Sequence, residues 1–169
     1  TCTVTATPNG TVGDGDATAT VAIAAGAAYT IGTNPAVVTI KDDDIPVMSA
    51  VCAPTTLTDS AGQVSTCTIS SDKALASPLS VNLTPPTANA RYATTCAGTI
   101  SIPAGVAGTS NTCTITAVAN TTVGDGSVTA SLSVAAGPGY TAGGSTQNVV
   151  INNDDFAAIS VAVSPASVA

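Results

Sequence analysis

Five cysteines are the residues of this chain whose spacing predicts covalent chemistry. Cys52, Cys67, Cys96 and Cys113 have the same parity as the apolar residues around them, so their side chains should point inward. A turn lies near the midpoint of each interval, from position 52 to 67 and from position 96 to 113. We predict the disulfides Cys52–Cys67 and Cys96–Cys113, each bridging a hairpin, although four cysteines allow three connectivities.

The fifth cysteine, Cys2, is left without a partner by this spacing. If Cys2 were paired as Cys113 is with Cys96, its mate would lie before Thr1, so we predict a partner outside the chain. The alternative is that the cysteines are free buried thiols; a zinc site is disfavoured because the chain has no His and no close Cys-x-x-Cys pair. Disulfides imply an oxidising compartment, which predicts an extracellular or cell-surface location.

Few residues in this sequence are suited to catalysis. Ser and Thr are abundant, but a nucleophilic hydroxyl needs an activating base, and His is absent. The segment Ser71-Asp72-Lys73 resembles a Ser–Lys pair, for which a polar turn is the simpler interpretation. We therefore predict no catalytic residues and no enzymatic activity.

The charge of the chain limits its partners. Three basic residues against ten acidic ones give a net charge of −7, which predicts no nucleic-acid binding. No apolar run approaches the roughly 18 residues of a membrane span. Charged residues make up 8% of the chain, well below the usual quarter or so, and Thr, Ser, Asn and Gly take their place. Such an uncharged polar surface is typical of exported β-rich surface and fibre proteins.

The elements that must position these residues are strands. Apolar and polar residues alternate with a period of two in seven short runs, and turn-forming residues separate the runs. No apolar stripe with a helical period competes with them. The predicted strands contain residues 48–52, 67–69, 79–83, 100–102, 113–117, 128–134 and 149–151. Seven such strands in about 110 residues are typical of an immunoglobulin-like sandwich.

A long internal repeat organises the chain. The segment beginning at Thr1 returns at Thr112, an offset of 112 − 1 = 111 positions that holds without a gap, and about 25 of the 58 aligned positions are identical. We predict that residues 1–46 are the C-terminal half of a β-sandwich module, 47–155 a complete module and 156–169 the first strand of a following module. Because half a sandwich exposes its apolar face, we expect either a longer intact protein or strands supplied by another copy.

Three motifs in each repeat resemble the Calx-β domain. They are VGDGD at 12–16, AYTIG at 28–32 and TIKDDD at 39–44, which recur as VGDG at 123–126, GYT at 139–141 and VINNDD at 150–155. The resemblance covers nearly the whole chain. It implies an all-β fold of tandem immunoglobulin-like (Calx-β-like) antiparallel β-sandwich modules, as in bacterial-type extracellular surface proteins.

The same resemblance implies calcium as the one candidate cofactor, because some members of the family bind it through the terminal acidic run. Clustered carboxylates are stabilised by a cation between them. This chain lacks the family's usual Glu residues beside the Gly-Asp turn, and a solvated acidic linker is the alternative. The candidate ligands are Asp14, Asp16, Asp42, Asp43 and Asp44 at the first junction, and Asp125, Asp154 and Asp155 at the second.

These features together favour a structural role. We predict a non-catalytic repeat module of an extracellular fibre, stalk, sheath or surface layer, whose partners are other copies of itself. Open strand edges suit lateral assembly or strand addition. The alternative is an adhesin stalk or a calcium-binding spacer module.

Overall fold

The computed structural model describes residues 1–164, which form fourteen strands and no helix. None of these residues belongs to a helix that could cross a membrane. In chain order the strands are β1 (Thr11–Val12), β2 (Ala17–Val21), β3 (Ala36–Ile40), β4 (Val47–Ala53), β5 (Thr56–Thr58), β6 (Val64–Ser71), β7 (Ala74–Leu75), β8 (Leu79–Thr84), β9 (Tyr92–Thr94), β10 (Thr99–Ile102), β11 (Ser110–Ala117), β12 (Val128–Val134), β13 (Thr141–Ala142) and β14 (Gln147–Asn152).

Two five-stranded sheets form a sandwich from β4 to β14. One sheet has the order β10-β8-β12-β14-β5 and the other the order β13-β4-β6-β11-β9. The pairs β14–β5 and β13–β4 are parallel, while the remaining pairs in these sheets are antiparallel. The apolar side chains of both sheets face each other and form the core, as the alternating sequence requires.

The core of the sandwich lies entirely between Met48 and Ile151. In β6, for example, Cys67 and Ile69 are buried, while Thr66 is exposed. Val, Ile, Leu, Ala and the cysteines supply most of the buried side chains, and Tyr92 and Tyr140 are the buried aromatic residues among those described. The composition, poor in aromatic residues, is therefore sufficient for a packed two-layer module.

All seven predicted strands correspond to observed strands, namely β4, β6, β8, β10, β11, β12 and β14. Strands β5, β7, β9 and β13 were not predicted from the sequence. These strands have two or three residues each, too few to show an alternating pattern. The all-β sandwich prediction is confirmed at this level.

Residues 1–46 form a two-stranded hairpin and a short strand, and the short strand pairs with the sandwich. Strand β1 pairs in parallel with β7, and β2 pairs with β3 in a separate two-stranded sheet. The hairpin register is Ala17↔Ile40, and the pair β12–β14 has Val128↔Ile151, which is the same register shifted by one repeat. Most side chains of β2 and β3 are exposed, whereas several of their counterparts in β12 and β14 line the core.

Residues 156–164 form no strand in this structure. Their large apolar side chains, Phe156, Ile159, Val161 and Val163, are mostly exposed. The predicted first strand of a following module ends beyond the described residues, and it stays a prediction.

Candidate functional site

Two disulfides join Cys52 to Cys67 and Cys96 to Cys113, the pairs that the spacing predicts. The predicted hairpins are wrong, however. Strand β5 lies between Cys52 and Cys67 in the chain, and β10 lies between Cys96 and Cys113, and both belong to the opposite sheet. Each bridge therefore joins neighbouring segments that are connected through the other layer of the sandwich. Cys2 is exposed and unpaired within the chain.

The four bonded cysteines form one row across the inner face of a sheet. Cys52 lies opposite Cys67 in the β4–β6 register, and Cys67 lies opposite Cys113 in the β6–β11 register. Cys96 follows β9, the neighbour of β11 on its other side. All four are buried, so the row is part of the core, and its chemistry is structural cross-linking.

The most elaborate polar site lies at one pole of the sandwich and is built around Asp59. This residue follows β5 directly, and its side chain is fully buried. Its Oδ2 accepts hydrogen bonds from Arg91 Nη2 at 2.6 Å and Asn120 Nδ2 at 3.1 Å, and its Oδ1 accepts one from the Asp154 N–H at 3.0 Å. A buried carboxylate requires such a set of donors.

Arg91 joins Asp59 to the Gly-Asp-Gly turn. Its Nη1 lies 2.6 Å from Asp125 Oδ2 and donates to the Gly126 carbonyl at 3.1 Å. Only 12% of the Arg91 side chain is exposed. One guanidinium thus binds two carboxylates and a backbone carbonyl, using the planar fork that distinguishes Arg from Lys. We call Arg91, Asp59, Asp125, Asp154 and Asp155 the Arg91 cluster.

The pKa values of two acids in the Arg91 cluster, Asp59 and Asp155, are shifted in opposite directions. The side-chain hydrogen bond with Asp154, its backbone N–H and the Arg91 charge hold the pKa of Asp59 below its usual value despite burial. Burial, together with the charges of Asp59, Asp154 and Asp125, raises the pKa of Asp155. Asp155 Oδ2 is buried and has no hydrogen-bond partner among the described residues. The cluster therefore holds one well-compensated acid and one poorly compensated acid.

The geometry of these acids bears on whether calcium could bind at this pole. Asp59, Asp154 and Asp155 are the one group of three acids within residues 1–164 whose carboxylate oxygens lie within 4.8 Å of one another. Calcium needs about six to eight oxygen ligands. Both oxygens of Asp59 already accept hydrogen bonds, and Arg91 supplies positive charge to this group. Calcium binding at the second junction, through Asp125, Asp154 and Asp155, stays a prediction.

The acids of the first junction line an open groove of about 960 Å³ but do not converge on one point. Asp42 Oδ2 accepts the Gly13 and Gly15 N–H groups at 3.0 and 3.4 Å. The Lys41 ammonium binds Asp16 and lowers its pKa. The remaining acids lie as follows: Asp14 accepts from Asn9, Asp44 pairs with Lys73, and Asp43 lines the groove beside them. Calcium binding at this junction stays a prediction.

The segment Ser71-Asp72-Lys73 has a structural explanation. Ser71 Oγ donates to the Lys73 carbonyl at 2.8 Å, while Lys73 Nζ lies 2.7 Å from Asp44. The hydrogen bond to Asp44 raises the pKa of Lys73, whereas a general base requires a lowered pKa. This lysine therefore serves the junction and does not activate Ser71.

The central pair of the cluster, Asp59 and Arg91, was not predicted from the sequence. The repeat aligns positions 1–58 with 112–169, so neither Asp59 nor Arg91 has a counterpart among the aligned positions. A signal was present in the sequence: Arg91 is the only arginine in a chain of low charge. Such a residue needs acidic partners when it is buried.

Comparison with models of protein families, with curated proteins and with solved structures found no match to this chain.

Proposed function

We propose that this chain is a non-catalytic structural module of an extracellular fibre, stalk, sheath or surface layer. In this proposal tandem immunoglobulin-like modules follow one another at the interval of the sequence repeat, and other copies of the chain are its partners. The low content of charged residues, the strand-rich fold and the covalent cross-links all suit a durable material outside the cell.

The observation that supports the proposal best is the equivalence of the hairpins β2–β3 and β12–β14. They lie in the repeated part of the sequence, share the same register, and are each followed by an acidic segment. A chain that repeats the same element at a fixed sequence interval is suited to forming an extended array.

The polar residues of the described chain also favour a structural role. Arg91, Asp59 and Asp125 bind one another, Lys73 binds Asp44, and four of the cysteines are paired in the core. Each of these potentially reactive groups is engaged in holding the fold together. An adhesin stalk is the alternative use of the same rigid module.

Electron microscopy of the native material tests the proposal. Ordered filaments, sheaths or layers labelled by an antibody against this chain are the expected result. Isolated rods that carry a different domain at the tip would instead support the adhesin stalk. Antibody labelling confined to the cell interior would refute both, because both require export.

A further inference from the structure

Strand β1 makes one of the contacts between residues 1–46 and the sandwich. Thr11 pairs with Ala74 and Val12 with Leu75 in a parallel bridge, and the Ala76 N–H donates to the Val12 carbonyl at 3.0 Å. The Val12 side chain packs against the core cluster of the sandwich. The apolar contact and the backbone bonds together anchor the Gly-Asp-Gly loop to β7.

A second contact of the same junction is ionic. Lys73, next to β7, lies 2.7 Å from Asp44, and the two side chains are 34% and 17% exposed. The Asp72 carboxylate accepts the Val47 N–H at 2.7 Å, which holds the linker against the same loop. A partly buried, hydrogen-bonded pair of this kind is screened less than a surface ion pair.

The opposite pole of the sandwich carries the same two groups without partners. At an offset of one repeat, Val12 corresponds to Val123 and Asp44 to Asp155. Val123 is 52% exposed, and Asp155 Oδ2 is buried without a hydrogen-bond partner among the described residues. At the first junction the equivalent groups are covered: Val12 pairs with Leu75, and Asp44 binds Lys73.

This pole is ordered by hydrogen bonds of its own, one of which has a counterpart at the first junction. Asn153, which corresponds to Asp42, donates to the Thr122 carbonyl at 2.8 Å and to Asp125. Its Oδ1 accepts the Asp155 N–H at 2.8 Å, as Asp42 Oδ1 accepts the Asp44 N–H at 3.2 Å. A surface ordered before contact loses little entropy on binding.

We propose that Val123 and Asp155 form a docking surface for a second copy of the module 47–155, which presents Lys73-Ala74-Leu75 to it. Leu75 covers Val123, Ala74 and Leu75 pair with Thr122 and Val123, and Lys73 binds Asp155. The inference deepens the proposed function and rests on it, because it makes the joint between successive modules rigid. The contact seen at the first junction is its template.

The test adds one module to the chain. A copy of residues 47–155 is appended after Ala157, since 46 + 111 = 157 reproduces the spacing of the first junction. Small-angle scattering then measures the distribution of lengths, and hydrogen exchange follows the Ala76 N–H of the appended copy, the donor in the template. We expect a narrow length distribution and protection of this amide at least about tenfold above a freely exchanging one.

Substitutions separate docking from folding. In the original chain, Val123→Asp should leave the melting temperature unchanged, whereas Val12→Asp should loosen the first junction. In the extended chain, Val123→Asp should broaden the length distribution and remove the amide protection. Asp155→Lys should do the same, and Lys73→Asp in the appended copy should restore the joint.

Independent tumbling of the appended module in the unsubstituted extended chain would overturn the docking surface. So would full protection of the Ala76 amide in the Val123→Asp variant. Neither result bears on whether the native material is fibrous, which microscopy decides. A rigid joint in a protein that forms no extracellular material would refute the proposed function and leave the docking surface intact.

Discussion

At the scale of single residues, Arg91 neutralises part of the negative charge at the acidic pole. Its guanidinium is mostly buried and reaches both Asp59 and Asp125, so two carboxylates at this pole share one fixed cation. A calcium ion would serve the same electrostatic purpose, but it could be lost to a chelator. Arg91 is covalently part of the chain, so a chelator cannot remove the positive charge that it supplies.

Because Arg91 supplies the positive charge beside Asp59, its removal should make the stability of the protein depend on calcium. Arg91→Met keeps much of the length of the side chain but leaves Asp59 buried without its cation. We expect the melting temperature to fall by roughly 5–10 °C. Millimolar calcium should restore part of this loss and should stabilise the wild type less. Thermal melts of both proteins with calcium and with chelator measure the difference; equal calcium effects in the two would contradict the role given to Arg91.

Asp155 gives a prediction about pH. Its folded pKa lies above the unfolded value of 3.8, so the charged form is destabilising in the folded chain at neutral pH. Asp155→Asn should therefore raise the melting temperature at pH 7. The gain should shrink as the pH falls through the folded pKa and vanish below 3.8, where the aspartate is protonated in both states. Melts from pH 3 to pH 7 test this, and a gain that persists at pH 3 would argue against titration as the cause.

Residue contacts were the least predictable part of the site. Parity and spacing in the sequence sufficed for the cysteine pairs, because strand neighbours impose both. The contact of Arg91 with Asp59 joins residues 32 positions apart from loops at one pole. No periodicity governs loops, so only the cost of burying a lone arginine pointed toward such a contact.

At the scale of elements, the disulfides reinforce one sheet of the sandwich. The row of four cysteines crosses β4, β6 and β11 and ends beside β9, so the bridges join both outer pairs of this group. The opposite sheet contains none of these bridges. Its strands are held by backbone hydrogen bonds and by packing on the cross-linked layer.

Removal of one bridge should weaken the whole module. For loops of this length the chain-entropy model gives about 3 kcal/mol per disulfide. We expect Cys96→Ala with Cys113→Ala to lower the free energy of unfolding by about this amount in urea titrations, with Cys2→Ser as a control that leaves it unchanged. A reductant should affect the wild type strongly and the double variant less. Insensitivity of the wild type to reductant would refute the pairing.

A tyrosine supports the turn between β12 and β14. Tyr140 donates from its hydroxyl to the Ala135 carbonyl at 2.9 Å and accepts the Asn82 N–H at 2.8 Å. A Cβ at Gly137 would lie 2.7 Å from the Cζ atom of this ring. Tyr29, the repeat counterpart, makes the same hydrogen bond to Ala24. The turn therefore requires a glycine beneath the ring.

The prediction for this turn compares two glycines. Gly137→Ala should displace Tyr140 and destabilise the module by about 1–3 kcal/mol, the usual cost of overpacking. Gly98→Ala is the matched control, because a Cβ there meets no atom within 4 Å. Equal stabilities of the two variants in urea titrations would show that the ring is free to move.

The elements themselves were largely predictable. Every strand with four or more residues in the complete module was anticipated from alternation. The hairpin assignments failed because the chain crosses to the other sheet through β5 and β10 between the bonded cysteines. Alternation indicates which residues face inward, but it does not indicate which of the two sheets a strand joins.

At the scale of the whole molecule, the chain holds the same hairpin in two environments. The β12–β14 pair is covered by the opposite sheet, and the equivalent β2–β3 pair has no second layer over it among the described residues. The register matches and the alternation of the strands is similar, so the covering layer is the main structural difference between the two hairpins. The molecule thus contains its own control for the contribution of sandwich packing to hairpin stability.

Hydrogen exchange should resolve this difference directly. The backbone amides that join β12 to β14 should open only when the module unfolds, whereas those that join β2 to β3 should open locally, because a lone two-stranded hairpin is marginal in water. We expect protection to differ by at least about a hundredfold between amides at equivalent positions, such as Val38 and Val149. Equal protection in a monomeric sample would mean that residues 1–46 carry a covering layer of their own. Protection of Val38 that rises with protein concentration would instead identify another copy of the chain as the layer that covers this hairpin.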